Sequence, residues 1–389
     1  MGIRDFFRLG KKEQKPLVVN QAPERSKKRK RLTAALTRMP NNRVRMEISN
    51  VVQAAENALM PEYSDRSVLL DIYQKTVKDS QYISEHDKAE SFLITEPFDV
   101  MKIGSDTSDK QRTELFQRPW FTSFMVYAMD VEFWGYTLLE FGQQDDNGEF
   151  TDVIVFPRHH VRPFERQITK FPDDVAGISY ADRETEYFLL PLGDAEDLGK
   201  LESIAIEVIW KTFARSDWSE YNERFGKPFV TFKTATDNEN ERDEAFQMAQ
   251  KFGSDLVGVI DPEDDLEILD MTSRESSDNY KSLAVMCDEY IAKMMNGQTG
   301  TGDVKAFTGS AEVHERVLTE FTKARLKRIQ DVVNYKLFPF LVAHGYPLDG
   351  YEFSFYGLRS KPENTVDNKS YNGGDPAKTN QREENNFFA

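Results

Sequence analysis

Asp217–Trp218–Ser219–Glu220–Tyr221–Asn222–Glu223–Arg224–Phe225–Gly226–Lys227–Pro228 reads as the last turns and the stop of a long helix. Ile206, Trp210, Ala214, Trp218, Tyr221 and Phe225 fall at helical spacing back from the stop, so the helix begins near residue 199. Gly226 supplies the left-handed residue that closes a helix, and Pro228 cannot continue one. Residues 199–225 would make a rod of about 40 Å. Ile204, Ile206, Val208 and Trp210 point to several sides of it, and a helix apolar on several sides needs neighbours on several sides. Its aromatic stripe therefore reads as core or subunit interface rather than as a ligand box.

Downstream, a strand (Phe229–Lys233), a helix (Glu241–Phe252), a strand (Leu256–Ile260), a turn and a strand (Leu266–Asp270) form a compact α/β insert. The turn carries Asp261, Glu263, Asp264 and Asp265 around Pro262. A two-metal nuclease centre needs carboxylates converging from different elements, whereas these are consecutive, as in a solvated hairpin turn. A second helix follows over about 276–295, then a Gly-rich segment, Asn296–Gly297–Gln298–Thr299–Gly300–Thr301–Gly302–Asp303. Gly297 and Gly302 have the separation of a phosphate-binding loop. Asp303 and Val304 stand where such a loop needs Lys and Ser or Thr, and a helix rather than a strand precedes it. The segment reads instead as a flexible loop able to touch something that passes it. A long helix over about 310–343 carries the stripe Leu318, Phe321, Ile329, Val332, Val333 and Leu337, with a kink expected at Pro339.

Upstream, residues 46–78 read as two helices broken at Pro61, Phe92–Thr95 and Phe98–Ile103 as strands, and 119–133 as an apolar helix. Tyr136–Phe141 and Phe150–Phe156 read as a hairpin around Asp145–Asp146–Asn147–Gly148. Residues 166–190 read as irregular and strand-rich. Residues 1–33 hold eleven Lys or Arg against three acidic residues, a net +8, and read as a mobile basic arm for DNA or an acidic surface, or as a solvated tail. Residues 359–389 are polar and read as a disordered tail.

The whole chain carries a net charge of −16, which repels a duplex and argues against tight DNA binding, though not against a wall past which DNA slides. The single cysteine, Cys287, excludes an intrachain disulfide and reads as a small buried hydrophobe. No run of 18 apolar residues spans a membrane. The five histidines have no metal-ligand spacing, and His159–His160 would face opposite sides of a strand. No metal, cofactor or catalytic triad is expected.

The order of these elements resembles phage portal proteins, in which a wing leads to a stem helix, a clip, a second stem helix, a tunnel loop and a long helix returning over the wing. Phe133–Trp134–Gly135–Tyr136–Thr137–Leu138–Leu139–Glu140 resembles the "GY-S/T-x-x-E" strand of the bacteriophage Mu portal family. Asp217–Pro228 is similar to that family's "W-x-x-F-x-E-R-F-G-x-P" stretch, with Tyr221 in the aromatic place. Leu337–Phe338–Pro339–Phe340–Leu341 resembles its "L-x-P-hydrophobic" helix end. The resemblance covers roughly residues 60–358; the chain is shorter than typical members and lacks an obvious C-terminal helical crown.

The resemblance implies an α+β portal fold that assembles into a ring. Its parts would be an arm (1–45), wing (46–198), first stem helix (199–225), clip (226–270), second stem helix (271–295), tunnel loop (296–309), long wing helix with closing strand (310–358) and tail (359–389). Ile206, Trp210, Trp218, Tyr221 and Phe225 would form the stem interface. Asp261, Glu263, Asp264 and Asp265 would dock clip partners. Asn296, Gly297, Gln298, Thr299, Gly300, Thr301, Gly302, Asp303 and Lys305 would touch DNA. The implied partners are twelve copies of the chain, the major capsid protein, the terminase large subunit, a head–tail adaptor and double-stranded DNA, in a virion vertex assembled in the host cytoplasm. No enzymatic activity is implied. The alternatives are a phage DNA-processing enzyme with a two-metal carboxylate site, or another head–tail connector.

Overall fold

The computed structural model describes residues 31–36, 46–60, 64–225 (apart from 106, 173, 175 and 183–186), 229–233, 265–269, 274–298 and 308–359, with scattered positions between 238 and 247. Most of the expected basic arm and the tail fall outside these residues.

The fold is α+β. Helices α1 (Ile48–Ala58), α2 (Ser67–Thr76) and α3 (Ser80–Thr95) lead into strand β1 (Phe98–Lys102). The short helix α4 (Lys110–Glu114) and helix α5 (Pro119–Trp134) follow, then strand β2 (Tyr136–Phe141). Strands β3 (Val153–Val155), β4 (Val161–Arg162), β5 (Gln167–Ile168), β6 (Ile178–Ser179) and β7 (Leu189–Gly193) precede the long helix α6 (Leu201–Phe225). The remainder runs through β8 (Phe229–Lys233), β9 (Asp265–Leu269), α7 (Arg274–Asn296), α8 (Thr308–Val332), a π-helical turn (Val333–Leu337), α9 (Phe338–Ala343) and β10 (Tyr351–Phe355). The sheets are antiparallel and small: β1 with β10, β3–β2–β7, β4–β5–β6, and β8 with β9.

Helix α5 is the centre of the main core because most of its residues are apolar. Trp120, Phe121, Phe124, Met125, Ala128, Met129 and Phe133 are all buried. Pro119 opens it where its missing N–H costs nothing, and Gly135, at φ 74°, closes it. A Cβ at Gly135 would lie 2.1 Å from the carbonyl oxygen of Asp197, so only glycine admits the turn from α5 into β2. The return strand from residue 351 closes the core, with Phe353 on Phe98 and Phe121 at 5.0 and 5.6 Å between ring centres.

Three expectations change. Phe92–Thr95 is the last turn of α3, not a strand: Tyr82, Glu85, Ala89 and Leu93 are buried at intervals of three and four, which is a helix face. His159 and His160 lie in a 3-10 turn, Arg158–His160, rather than on a strand. The long helix is distorted one turn before Pro339, in the π-helical stretch. Pro339 has no N–H for the Tyr335 carbonyl and its ring crowds that oxygen, so the ladder widens there and the chain runs on as α9. The hairpin is as expected, with Leu139 opposite Val155, although its second strand is shorter. Cys287 is buried, and burial together with Glu207 pushes its thiol pKa up to about 11.

His344, 2 % exposed, donates from Nδ1 to the Phe340 carbonyl at 2.7 Å, among the rings of Phe150, Tyr187 and Phe340. Burial pushes its pKa down to about 4. An unfolded histidine titrates near 6.5, so the unfolded chain binds the extra proton between those values. The stability due to neutral His344 is therefore complete above pH 6.5 and is lost as pH falls towards 4. We expect His344→Phe to flatten the acid limb of the stability profile, the gap between wild type and variant changing by about 2 kcal/mol between pH 7.5 and 5. Urea titrations at the two pH values check this; parallel profiles would mean that the ring is solvated.

Candidate helix-pair and loop-root site

Helices α6 and α7 pack antiparallel along their length, with Tyr221 and Tyr280 6.2 Å apart at one end and Lys211 on Asp288 further along. The base of the pair is core: Leu201, Ile204, Ala205, Val208 and Ile209 of α6 and Ile291 and Met295 of α7 are buried. Away from the base, apolar side chains face out. Trp210, Phe213 and Trp218 of α6 and Val285, Met286 and Tyr290 of α7 are each 44–47 % exposed. Of the expected interface residues, Trp210 and Trp218 thus face solvent, Ile206 packs against the main core, and Tyr221 is half-buried towards Tyr280. Phe225 lies in α6, and its side chain is outside the described residues.

One cation locks this pair to the rest of the molecule. Lys211 is 1 % exposed, and its Nζ lies 2.7 Å from Asp79 Oδ2 and 2.5 Å from Asp288 Oδ1. Asp79 also caps α3, accepting from the backbone N–H of Gln81 and Tyr82. A lysine at helical spacing from Val208 and Ala214, inside an apolar stripe, was the available sequence signal.

The root of the Gly-rich segment is tied down more heavily. Asn296 is the last residue of α7 and is buried, so it does not belong to the loop. Its amide nitrogen donates to Glu85 Oε2 at 2.7 Å and to the Glu85 carbonyl at 3.1 Å. Arg325 of α8 donates to Asn296 Oδ1, to the Met295 carbonyl and to Glu132. Lys200 bridges the Met294 carbonyl and Glu132. Two cations thus satisfy the open carbonyls at the α7 C-terminus, where the helix dipole favours positive charge. Burial would raise the pKa of Glu132, but the hydrogen bonds and charges of Arg325 and Lys200 outweigh it and bring the carboxyl down to about 2. Gly297, at φ 75°, follows, and a Cβ there would sit 2.3 Å from the Phe321 ring. Gln298 is also buried. Thr299, Gly300, Thr301, Gly302, Asp303 and Lys305 lie outside the described residues.

The expected insert is described in part. Strands β8 and β9 pair antiparallel, Val230 opposite Ile268, so β9 pairs with the strand that follows α6. Asp265 begins β9; Asp261, Glu263, Asp264 and the expected strand Leu256–Ile260 lie outside the described residues. Among the described residues, His86, Asp87 and Glu90 could bring three ligand atoms together. His86 Nε2 already sits 2.9 Å from Asp130 Oδ1. Burial would lower the His86 pKa, but the hydrogen bond to Asp130 and the charges of Asp130 and Glu90 outweigh it and raise it, and Asp130 already occupies the Nε2 that an ion would need. No helix among the described residues is long and apolar enough to cross a membrane.

A model of the family described as the portal protein of Mu bacteriophage matches residues 70–373, more than three-quarters of the chain. No curated protein matches. Among solved structures, an HK97-family phage portal protein from Corynebacterium diphtheriae is similar at 11% identity and a TM-score of 0.43, covering 73% of this chain and 94% of that one. The neck of an empty GTA particle, computed with C6 symmetry, is similar at 12% identity and a TM-score of 0.44, covering 73% and 82%.

Proposed function

The chain belongs to the portal protein family of bacteriophage Mu, and on that premise we propose that twelve copies close into a ring at the capsid vertex, the channel for packaging and ejecting the genome. Phage portal proteins sit in the virion capsid, and their role is structural. One observation carries the ring reading: helices α6 and α7 are core at their base and expose Trp210, Phe213, Trp218, Val285, Met286 and Tyr290 beyond it. Large apolar side chains on a projecting helix pair call for a protein neighbour, and in a ring each pair has one on either side. In this reading α6 and α7 are the stem and residues 46–198 the wing, while residues 226–270 are the clip that docks terminase and, later, the adaptor. ATP hydrolysis then belongs to the motor.

The Gly-rich residues after Gln298 form the tunnel loop in this reading. Asp303 offsets Lys305, so the loop meets phosphates through weak, exchangeable contacts without the steep salt dependence of a many-lysine site. The net charge of −16 fits a channel that does not grip its cargo.

Native mass measurement tests the ring. Twelve chains of 44.9 kDa give a particle of about 540 kDa. Protein free of DNA and metal, at micromolar concentration and several salt concentrations, should show it. Monomers and dimers alone would reject the ring and favour the enzyme alternative.

A further inference from the structure

The strand Tyr136–Glu140 holds a residue that the ring reading does not use. Glu140 is 1 % exposed, on the central strand of the β3–β2–β7 sheet. Its carboxylate accepts the backbone N–H of Leu32 at 2.8 Å and of Thr33 at 3.4 Å. Residues 31–36 therefore lie against a strand more than a hundred positions away in sequence. Leu32 and Leu36 pack on a second apolar cluster, Leu138, Phe156, Val161, Ile168, Tyr180 and Leu189, separate from the main core. Arg31 pairs with Asp152, and that carboxylate stands where a Cβ on Gly142 would be, so glycine at 142 admits the pair.

We propose that this groove is the anchoring site of the chain's own basic segment, with residues 31–36 as its occupant and Arg31 as the fixed root of residues 1–30. The observations are complementary in kind. A buried carboxylate takes two backbone donors that would otherwise need water. Two leucines cover an apolar cluster, and the one cation of the segment meets an acidic strand edge. Charge gives the anchor its purpose. The net −16 of the chain divides into +8 over residues 1–33 and −24 over the rest. A free arm of that charge would collapse at random onto the acidic body. An anchored one carries its cations from a single place beside β2, to meet a polyanion.

Timed trypsin digestion of the full chain, read by mass spectrometry, tests the anchor without assuming a ring. Cleavage after Arg31 needs an extended, released segment, so it should run about tenfold or more slower than cleavage within Lys27–Lys30. The double variant Leu32→Asp, Leu36→Asp changes only the occupant and should abolish that difference while circular dichroism stays unchanged. Glu140→Gln should move the rate in the same direction. Equal rates at Arg31 and at Lys27–Lys30 in the native protein, or full protection persisting in the double variant, would overturn the anchor. Protection lost on dilution to monomers would assign the groove to a neighbouring copy's segment and overturn the intrachain occupant.

Discussion

Glu132→Gln is expected to cost about 3–5 kcal/mol of stability, because it leaves buried Arg325 and its neighbour Lys200 without their anion. The Arg325 side chain is 5 % exposed and the Glu132 side chain 8 %, so water cannot take over the lost charge. An amide keeps the volume and one acceptor oxygen, which makes the change electrostatic rather than a cavity. The loss should extend to the end of α7, since Arg325 and Lys200 also hold the Met295 and Met294 carbonyls. Hydrogen exchange at residues 293–298 should therefore speed up more than exchange in α5. Urea unfolding gives the stability; a change below about 1 kcal/mol would place the cluster in solvent despite its burial.

Lys211→Met should cost about 3 kcal/mol for the same reason: the Asp79 side chain is 7 % exposed and would keep a charge with no cation. Methionine matches the aliphatic stem of lysine, so packing between α6 and α7 survives and the missing charge dominates. Asp288, at 31 % exposed, can turn to water, which holds the loss below that expected at Glu132. Lys327→Ala provides the contrast. Its partner Asp331 and the lysine itself are 42 % and 58 % exposed, and such a pair contributes about 0.5 kcal/mol or less. Equal effects at Lys211 and Lys327 would show that burial does not set the strength of these pairs.

Each exposed aromatic on α6 and α7 has an area that a subunit neighbour would cover, so the two parts of this helix pair answer to different constraints. Their shared base is held by core packing and by Lys211, and it forms in the single chain. The rest is stable in water only as far as the two helices support each other.

The sequence by itself determined most of the local elements and their order. The apolar run 119–133, the glycine at 135, the apolar and β-branched residues of 136–141 and the stop at the end of α6 each depend on neighbours a few residues away. Periodicity and turn chemistry report such short-range causes, so these boundaries were legible to within a residue or two. Motifs along that order also pointed to the family that residues 70–373 match. What only the tertiary structure decided is where polar groups find partners. Nothing local marks Glu85 as the partner of Asn296, 211 positions away, or Glu132 as the partner of Arg325, 193 positions away. Asn296 in a glycine-rich stretch reads as loop, and becomes the buried end of a helix because Glu85 and Arg325 converge on it. Arg31 reads as arm, and becomes an anchor because the pairing of β2 with β3 brings Glu140 and Asp152, the residue before β3, to the same segment. Local pattern fixes which residues turn inward along an element. Which buried charge meets which depends on how elements distant in sequence pack, and only the folded chain specifies that.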